Sequence, residues 1–532
     1  MRGRIQDGIR AVIAFWVRMT GHGLNGLHRW RVRRHRHRSK KLRARYAITA
    51  DTPIIRHGEE LDRSLQASAG RGIRFAATSG SSGVPKRIPY SQRRIRQVKA
   101  LYMDAFCRAF GAMGVRRTSL YVFSAIGTDD SLTSLMMAER QSLPPYFSSL
   151  QAPYRVHGHP AMLTLEKSYG TAAVRLWVLV ISNPGAMYAT NPSTIALFLE
   201  QLAEHWESCT ALIRDWGRDL NTFDPDVRRI AARLSSIGDA ERIAVISNSA
   251  TPLPFSQCVP ALSFLCCWDG GYVRPYLDRV WVHLDSQAVR HLPMYSMSTE
   301  TVETLPDFQD VDVAFLPVAP GVLYEFLPVG SEEETAALLQ PEVLKVGQEY
   351  SMVVSDPWGL VRYHTEDVFS VARRVSGLPD LRFERRLGLA FSFTGEKLTG
   401  DQARAAIQAV IEQRSDLAQM PWLVLVPSTE PRPHYKLVMA GESPVLACSQ
   451  IGPLLDTALG WVNQEYLDKR RSGRLGAPEA IPMPFEDALR WVGRQQPGRR
   501  WETQFKFLPM VTTPWEKLMA EKDAESATDL RS

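Results

Sequence analysis

The stretch Thr78-Ser-Gly-Ser-Ser-Gly-Val-Pro-Lys-Arg-Ile-Pro-Tyr90 carries the first structural signal of this chain. Thr78, Ser79, Gly80, Ser81, Ser82 and Gly83 are small, and Lys86 follows three positions after the second glycine. Such a run lets backbone N–H groups and hydroxyls converge on an anion, with an ammonium beside them. It is not a Walker A loop, which requires G-x-x-x-x-G-K-[ST]. A Ser/Gly tract is also the composition of a plain solvated linker. The flanks favour the anion site: an apolar stretch at 73–77 precedes it and a helical pattern begins near Ser91. Strand, phosphate-sized loop and helix is a common construction for nucleotide sites.

The chain has 532 residues, 45% hydrophobic and 23% charged, the composition of a globular protein with more than one core. Six scattered cysteines show no C-x-x-C spacing, which argues against a disulfide framework or zinc site and for a reducing cytoplasm. The net charge of +8 is unevenly placed. Residues 1–46 carry 14 Lys/Arg and one acid, a net of +13, and the remainder sums to −5. This basic N-terminal arm contains an apolar patch at 11–17, too short to span a bilayer, and it lacks a signal-peptide cleavage site. Ten Arg/Lys then fall within 28–46, a run that could face a partner or an anionic surface, or lie solvated against the body.

Beyond the arm, 91–111 reads as a helix. Short apolar runs at 120–124, 174–182, 243–247 and 280–284 read as strands, and Asn191-Pro-Ser-Thr opens a helix reaching to about Trp216. Residues 312–328 read as two strands about a Pro-Gly turn, and 349–363 as a hairpin. A β-α-β-β-α succession after Arg385 suggests a small α+β lid. The expected architecture is α/β, with a basic arm (1–46), a large domain (47–385), a C-terminal lid domain (386–520) and a tail (521–532).

In this order the landmarks resemble the GH3 acyl acid–amido synthetase branch of the adenylate-forming enzymes, over residues 70–510. The loop at 78–86 resembles that family's phosphate loop. Pro293-Met-Tyr-Ser-Met-Ser-Thr-Glu300 resembles its second motif, and Leu323-Tyr-Glu-Phe-Leu-Pro328 the strand that follows. Gly359-Leu-Val-Arg-Tyr363 through Asp367 resembles its third motif, Tyr-Arg-x-Gly-Asp. Phe383-Glu-Arg-Arg386, Gly395-Glu-Lys397, the run Tyr466 to Gly476 and Gln504-Phe-Lys506 resemble its hinge and C-terminal signatures.

The resemblance implies a large adenylate-forming domain built of β-sheets flanked by helices and a distorted β-barrel, with a mobile lid. It implies ATP and Mg2+ as cofactors, and a carboxylic acid and an amine, usually of an amino acid, as substrates. Nucleotide contacts would come from Thr78 to Gly83, Lys86, Tyr295, Ser298, Thr299, Tyr363, Asp367 and Arg386. Glu300 would hold magnesium, Asp367 the ribose hydroxyls, and Tyr295 would stack on adenine. Lys86, Glu300 and lid-borne Lys506 would serve catalysis, their charges neutralising phosphate oxygens as the carboxylate attacks. Two departures stand out: His364 replaces the family's arginine, and Glu366 its glycine. An acyl-CoA ligase shares the first half-reaction, and a non-catalytic protein acting through its arm is the reading from another class. No nucleic-acid partner and no transmembrane segment are expected.

Overall fold

A computed structural model describes residues 2–55, 73–77, 87–113, 119–123, 132, 135–136, 159–270, 274–294, 296–309, 312–329, 338–387, 390–391, 393, 396, 398–441, 448–471, 473, 475–493 and 507–520. The described residues up to Glu384 form one compact unit, and those from Arg385 form a second.

The basic arm folds as two helices, α1 (Arg2–Arg33) and α2 (His35–Arg45). Helix α1 lies along α3 (Gln92–Met113). The two backbones meet at Gly21 and Gly111. A Cβ on Gly21 would run into the Cys107 carbonyl, and one on Gly111 would lie 2.8 Å from the Gly21 carbonyl carbon. The Asn25 amide donates to the Arg108 carbonyl at 3.0 Å, and His28 sits 3.4 Å from Asp307, both buried. The sequence presents this arm chiefly as charge; its buried side, Ala14, Val17, Gly21, Asn25, His28 and Val32, is a helical stripe.

Strands β1 (Arg74–Ala77) and β2 (Arg87–Tyr90) pair antiparallel, with Ala77 opposite Arg87. A parallel four-stranded sheet follows in chain order: β3 (Leu120–Val122), β4 (Ala186–Tyr188), β5 (Phe264–Cys267) and β6 (Arg290–Pro293). Its helices include α4 (Pro160–Tyr169), α5 (Thr171–Ser182), α6 (Pro192–Glu204), α7 (Trp206–Arg218), α8 (Pro225–Leu234), α9 (Asp239–Ser247) and α10 (Arg274–His283). One core cluster is built from α5, α6, α7 and the inner faces of β4 and β5.

Four sequence expectations fail here. The runs at 174–182, 243–247 and 280–284 are helical, within α5, α9 and α10 respectively. Every residue from Ala173 to Ser182 is buried, so α5 has no polar face to reveal a 3.6-residue period. A short uninterrupted apolar run cannot be assigned to helix or strand by periodicity. The single helix expected through Trp216 is two, broken at His205.

The rest of the first unit is antiparallel. Strands β7 (Leu305–Gln309) and β8 (Asp312–Leu316) form a hairpin. A four-stranded sheet runs β12 (Leu378–Arg386), β11 (Tyr363–Val375), β10 (Glu349–Ser355), β9 (Leu323–Pro328). The runs expected within 312–328 are β8 and β9, though they pair with β7 and β10 instead of each other, and the run at 349–354 is β10. The second arm of the expected hairpin, 360–363, gives way to β11, which begins only at Tyr363, and β7 and β12 are not among the expected strands.

In the second unit, β13 (Ala390–Phe391) pairs with β14 (Leu398–Thr399), and α11 (Gly400–Gln413) begins in a capping box of Thr399 and Gln402. Strands β15 (Trp422–Ser428), β16 (His434–Ala440) and β17 (Glu479–Met483) form a sheet, with α12 (Cys448–Val462) packed on α11 and followed by α13 (Gln464–Arg471). Glu396, from the Gly-Glu-Lys signature, is fully buried and accepts from the Tyr435 hydroxyl at 2.8 Å and the Phe393 N–H at 2.7 Å. Its role there is to hold this core together.

Candidate active site

The carboxyl end of β6 is where a parallel sheet usually presents its ligand site, and Pro293, its last residue, opens the second motif. Residues 296–304 double back as a tight loop. The Thr304 N–H donates to the Ser296 carbonyl at 3.1 Å, and the Ser298 N–H to the Thr301 carbonyl at 3.1 Å. Ser298, Thr299, Glu300 and Thr301 form its tip, and Glu300 is buried.

Two residues tie this tip to the chain that follows the Ser/Gly stretch at 78–86. The Tyr90 hydroxyl donates to the Thr299 carbonyl at 2.7 Å. Arg94 is buried, donates to the carbonyls of Pro89 and Glu300, and stacks on the rings of Tyr90 (4.1 Å) and Trp358 (4.9 Å). The loop residues Thr78, Ser79, Gly80, Ser81, Ser82, Gly83 and Lys86 lie outside the described residues, as do Tyr295, Lys506 and the side chain of Arg386. Ala77 and Arg87, at the loop's two ends, face each other across β1 and β2. Arg386 closes β12, and Phe507, next to Lys506, is buried against Trp422 with ring centroids 5.6 Å apart.

The third motif is a bulge. The register of β10 with β11 passes from Ser351 opposite Val368 to Val353 opposite His364, so Met352 faces Thr365, Glu366 and Asp367 together. Bulges of this kind re-aim side chains and recur beside active sites. The Thr365 hydroxyl secures it, donating to the Met352 carbonyl at 3.0 Å and accepting from the Asp367 N–H at 3.2 Å. Glu366 has φ +64°, a left-handed conformation that glycine adopts freely and other L-residues adopt at a cost. This chain holds the left-handed position with a glutamate, where the resemblance leads one to expect a glycine. His364, in place of the motif's arginine, is buried, its Nε2 2.6 Å from the Ser351 hydroxyl. Tyr363 is also buried, and pairs in parallel with Ile55.

Sequence reasoning misses Glu303. It is buried, bonded by the Ser296 hydroxyl, and its carboxyl meets that of Asp367. Burial raises the Glu303 pKa well above the ordinary range, and the neighbouring Asp367 carboxyl raises it further. Two neighbouring buried carboxyls disfavour each other's ionisation, so the pair holds its protons more tightly than isolated acids would. The one available signal is a second acid three residues after Glu300, returning into an apolar run.

A second buried set braces the bulge. The Arg362 guanidinium holds Glu325 of β9 through Nε (3.1 Å) and Nη2 (3.2 Å), and Arg43 of the arm reaches the same carboxylate at 2.7 Å. Arg362 also donates to the Thr52 carbonyl at 2.6 Å. Asp356 is buried at the β10–β11 turn, where burial pushes its carboxyl up to about 6 against the pull of Arg94.

Among the described residues no three His, Cys, Asp or Glu side chains cluster as a metal cage. Glu300, one hard oxygen donor on a loop tip, fits the way magnesium is held beside nucleotides, by one or two carboxylates together with substrate phosphates.

Comparison with known proteins bears on this geometry. Residues 58–287 match the GH3 family N-terminal domain, and residues 315–386 the GH3 family central domain. A probable indole-3-acetic acid-amido synthetase of Oryza sativa subsp. japonica is 24% identical over 377 residues, covering 64% of this chain and 58% of that relative. The jasmonoyl–L-amino acid synthetase of Nicotiana attenuata is 27% identical over 173 residues, covering 30% of this chain and 29% of its own. A solved GH3.15 acyl acid amido synthetase superposes with a TM-score of 0.66 at 14% identity, covering 91% of this chain and 93% of that one. The fold is thus the α/β fold of the acyl acid amido synthetases, with a C-terminal domain. The chain belongs to the GH3 family. It spans somewhat more than half the length of the Oryza relative.

Proposed function

We propose that this protein is an ATP-dependent acyl acid–amido synthetase. A carboxylate oxygen attacks the α-phosphorus of ATP, the bond to pyrophosphate breaks, and an acyl-adenylate forms. An amine, probed first as amino acids, then attacks the acyl carbon; its proton is lost and AMP departs. The observation that carries this reading is the contact of Glu303 with Asp367. It brings the second motif to the third, where Asp367 would accept the ribose hydroxyls.

Ser298 and Thr299, at the loop tip, and Tyr363, beside the bulge, belong to the same nucleotide site. Lys86 and the donors of Thr78 to Gly83 would neutralise the triphosphate, Tyr295 would stack on adenine, Arg386 would contact ribose or phosphate, and Lys506 would serve the reacting carboxylate. Magnesium, held by Glu300, would supply further charge neutralisation on the phosphates. All six cysteines are free thiols, which fits an enzyme of the reducing cytoplasm.

The test is exchange of labelled pyrophosphate into ATP, screened over aromatic, fatty and hydroxy acids, with Lys86→Ala as control. Acid-dependent exchange lost in that variant supports the reading, and exchange that survives unchanged counts against the loop. AMP release that requires CoA instead of an amino acid would make the protein an acyl-CoA ligase.

A further inference from the structure

Helix α1 turns its buried stripe to α3 and leaves the opposite stripe bare. Val12, Phe15, Trp16, Met19, Leu27 and Trp30 are all exposed, Trp16 at 65% and Trp30 at 51%. At 100° per residue these six, with Gly23 and Gly26 between them, fall on one side of the helix. The exposed surface of the arm continues into cations: Arg29, Arg33, Arg34, Arg36, Lys40 and Lys41 are exposed, and the Arg34 guanidinium lies 5.0 Å over the Trp30 ring.

We propose that this face docks the protein on an anionic lipid surface, with α1 lying in the plane of the interface. Indole rings and aliphatic side chains immersed at the headgroup boundary, with Lys/Arg against lipid phosphates, is the make-up of an interfacial helix. The charge decides between partners. A second copy would bring the same cationic run, part of the arm's +13, against itself. A nucleic acid would satisfy the cations but leave Val12, Met19 and Leu27 nothing to stack on or bond. Spanning is excluded for this helix. No described helix is long and apolar enough to cross a membrane, and the other face of α1 is committed to α3 through Gly21 and Gly111, Asn25 and His28.

The experiment is co-sedimentation of the full chain with vesicles of phosphatidylcholine alone or mixed with phosphatidylglycerol. The protein binds the mixed vesicles and not the neutral ones, and binding falls as salt rises. Trp16→Ala with Trp30→Ala lowers affinity about tenfold or more through lost apolar contact, and Lys40→Glu with Lys41→Glu does so through charge. Brominated acyl chains quench the indole fluorescence of the unaltered protein, a readout independent of any variant. Equal binding to both vesicle types, binding to neither, or aromatic variants that bind like the parent overturns the proposal. So does a dimer that the Trp16 and Trp30 substitutions dissolve, or retention of single-stranded RNA without vesicle binding.

Discussion

The carboxyl of Glu303 lies against the carboxyl of Asp367, joining a loop that follows a parallel strand to a bulge in an antiparallel sheet. Because Glu303 titrates above its ordinary range, its protonated form favours the fold, and that contribution is present at low pH and lost as pH rises through the raised value. Glu303→Gln mimics the protonated form. Thermal melts from acid pH upward will show the variant gaining on the parent as pH rises above the ordinary carboxyl range, and exchange activity will persist. Glu303→Ala, which takes the neighbouring carboxyl away from Asp367, will lose about tenfold or more in exchange.

Asp356 gives a second pH-dependent prediction. Its folded pKa of about 6 exceeds the unfolded 3.8, so the stability it contributes is full below about pH 4 and fades as pH passes 6. Asp356→Asn removes that dependence. Denaturant titrations at acid and neutral pH will show the variant's relative stability rising by up to about 3 kcal/mol between them.

Glu366 occupies a left-handed backbone position with φ +64°. Glu366→Gly will stabilise the protein by up to about 1 kcal/mol, strain relief outweighing the entropy of an added glycine. Equilibrium unfolding in urea measures this.

The trio Arg43, Glu325 and Arg362 predicts an asymmetry. Glu325 and Arg362 are buried, whereas the Arg43 side chain is 34% exposed. Arg362→Ala leaves the buried carboxylate to the partly exposed Arg43 alone and will cost about 3 kcal/mol. Arg43→Ala will cost about 1 kcal/mol. Chemical denaturation of the two variants side by side separates them.

Legibility in the sequence follows burial. Strands β8 to β10 are bounded by turn residues and are readable, β11 is displaced past the expected 360–363, and α5 is apolar on every side and imitates a strand. The motif residues Ser298, Thr299, Glu300, Tyr363 and Asp367 stand out by resemblance, and they sit on the loop after β6 and the bulge of β11. Glu303 escapes because its meaning lies in a partner from another sheet, which no local spacing reveals. The left-handed backbone at Glu366 is equally hidden, since no local pattern in one chain announces a dihedral angle.

The chain leaving the arm runs alongside the third motif. The Ile55 N–H donates to the Arg362 carbonyl at 2.9 Å, and the His364 N–H to the Ile55 carbonyl at 2.9 Å. Cutting away residues 1–46 would therefore be no clean amputation. It would remove Arg43 from Glu325 and the Tyr46 hydroxyl from the Gly321 carbonyl, and bare the face of α3 that Gly21 covers. A shortened protein that lost activity would signal damage to its frame as readily as loss of an anchor. The arm's outward role is better dissected by single side-chain changes on its exposed face.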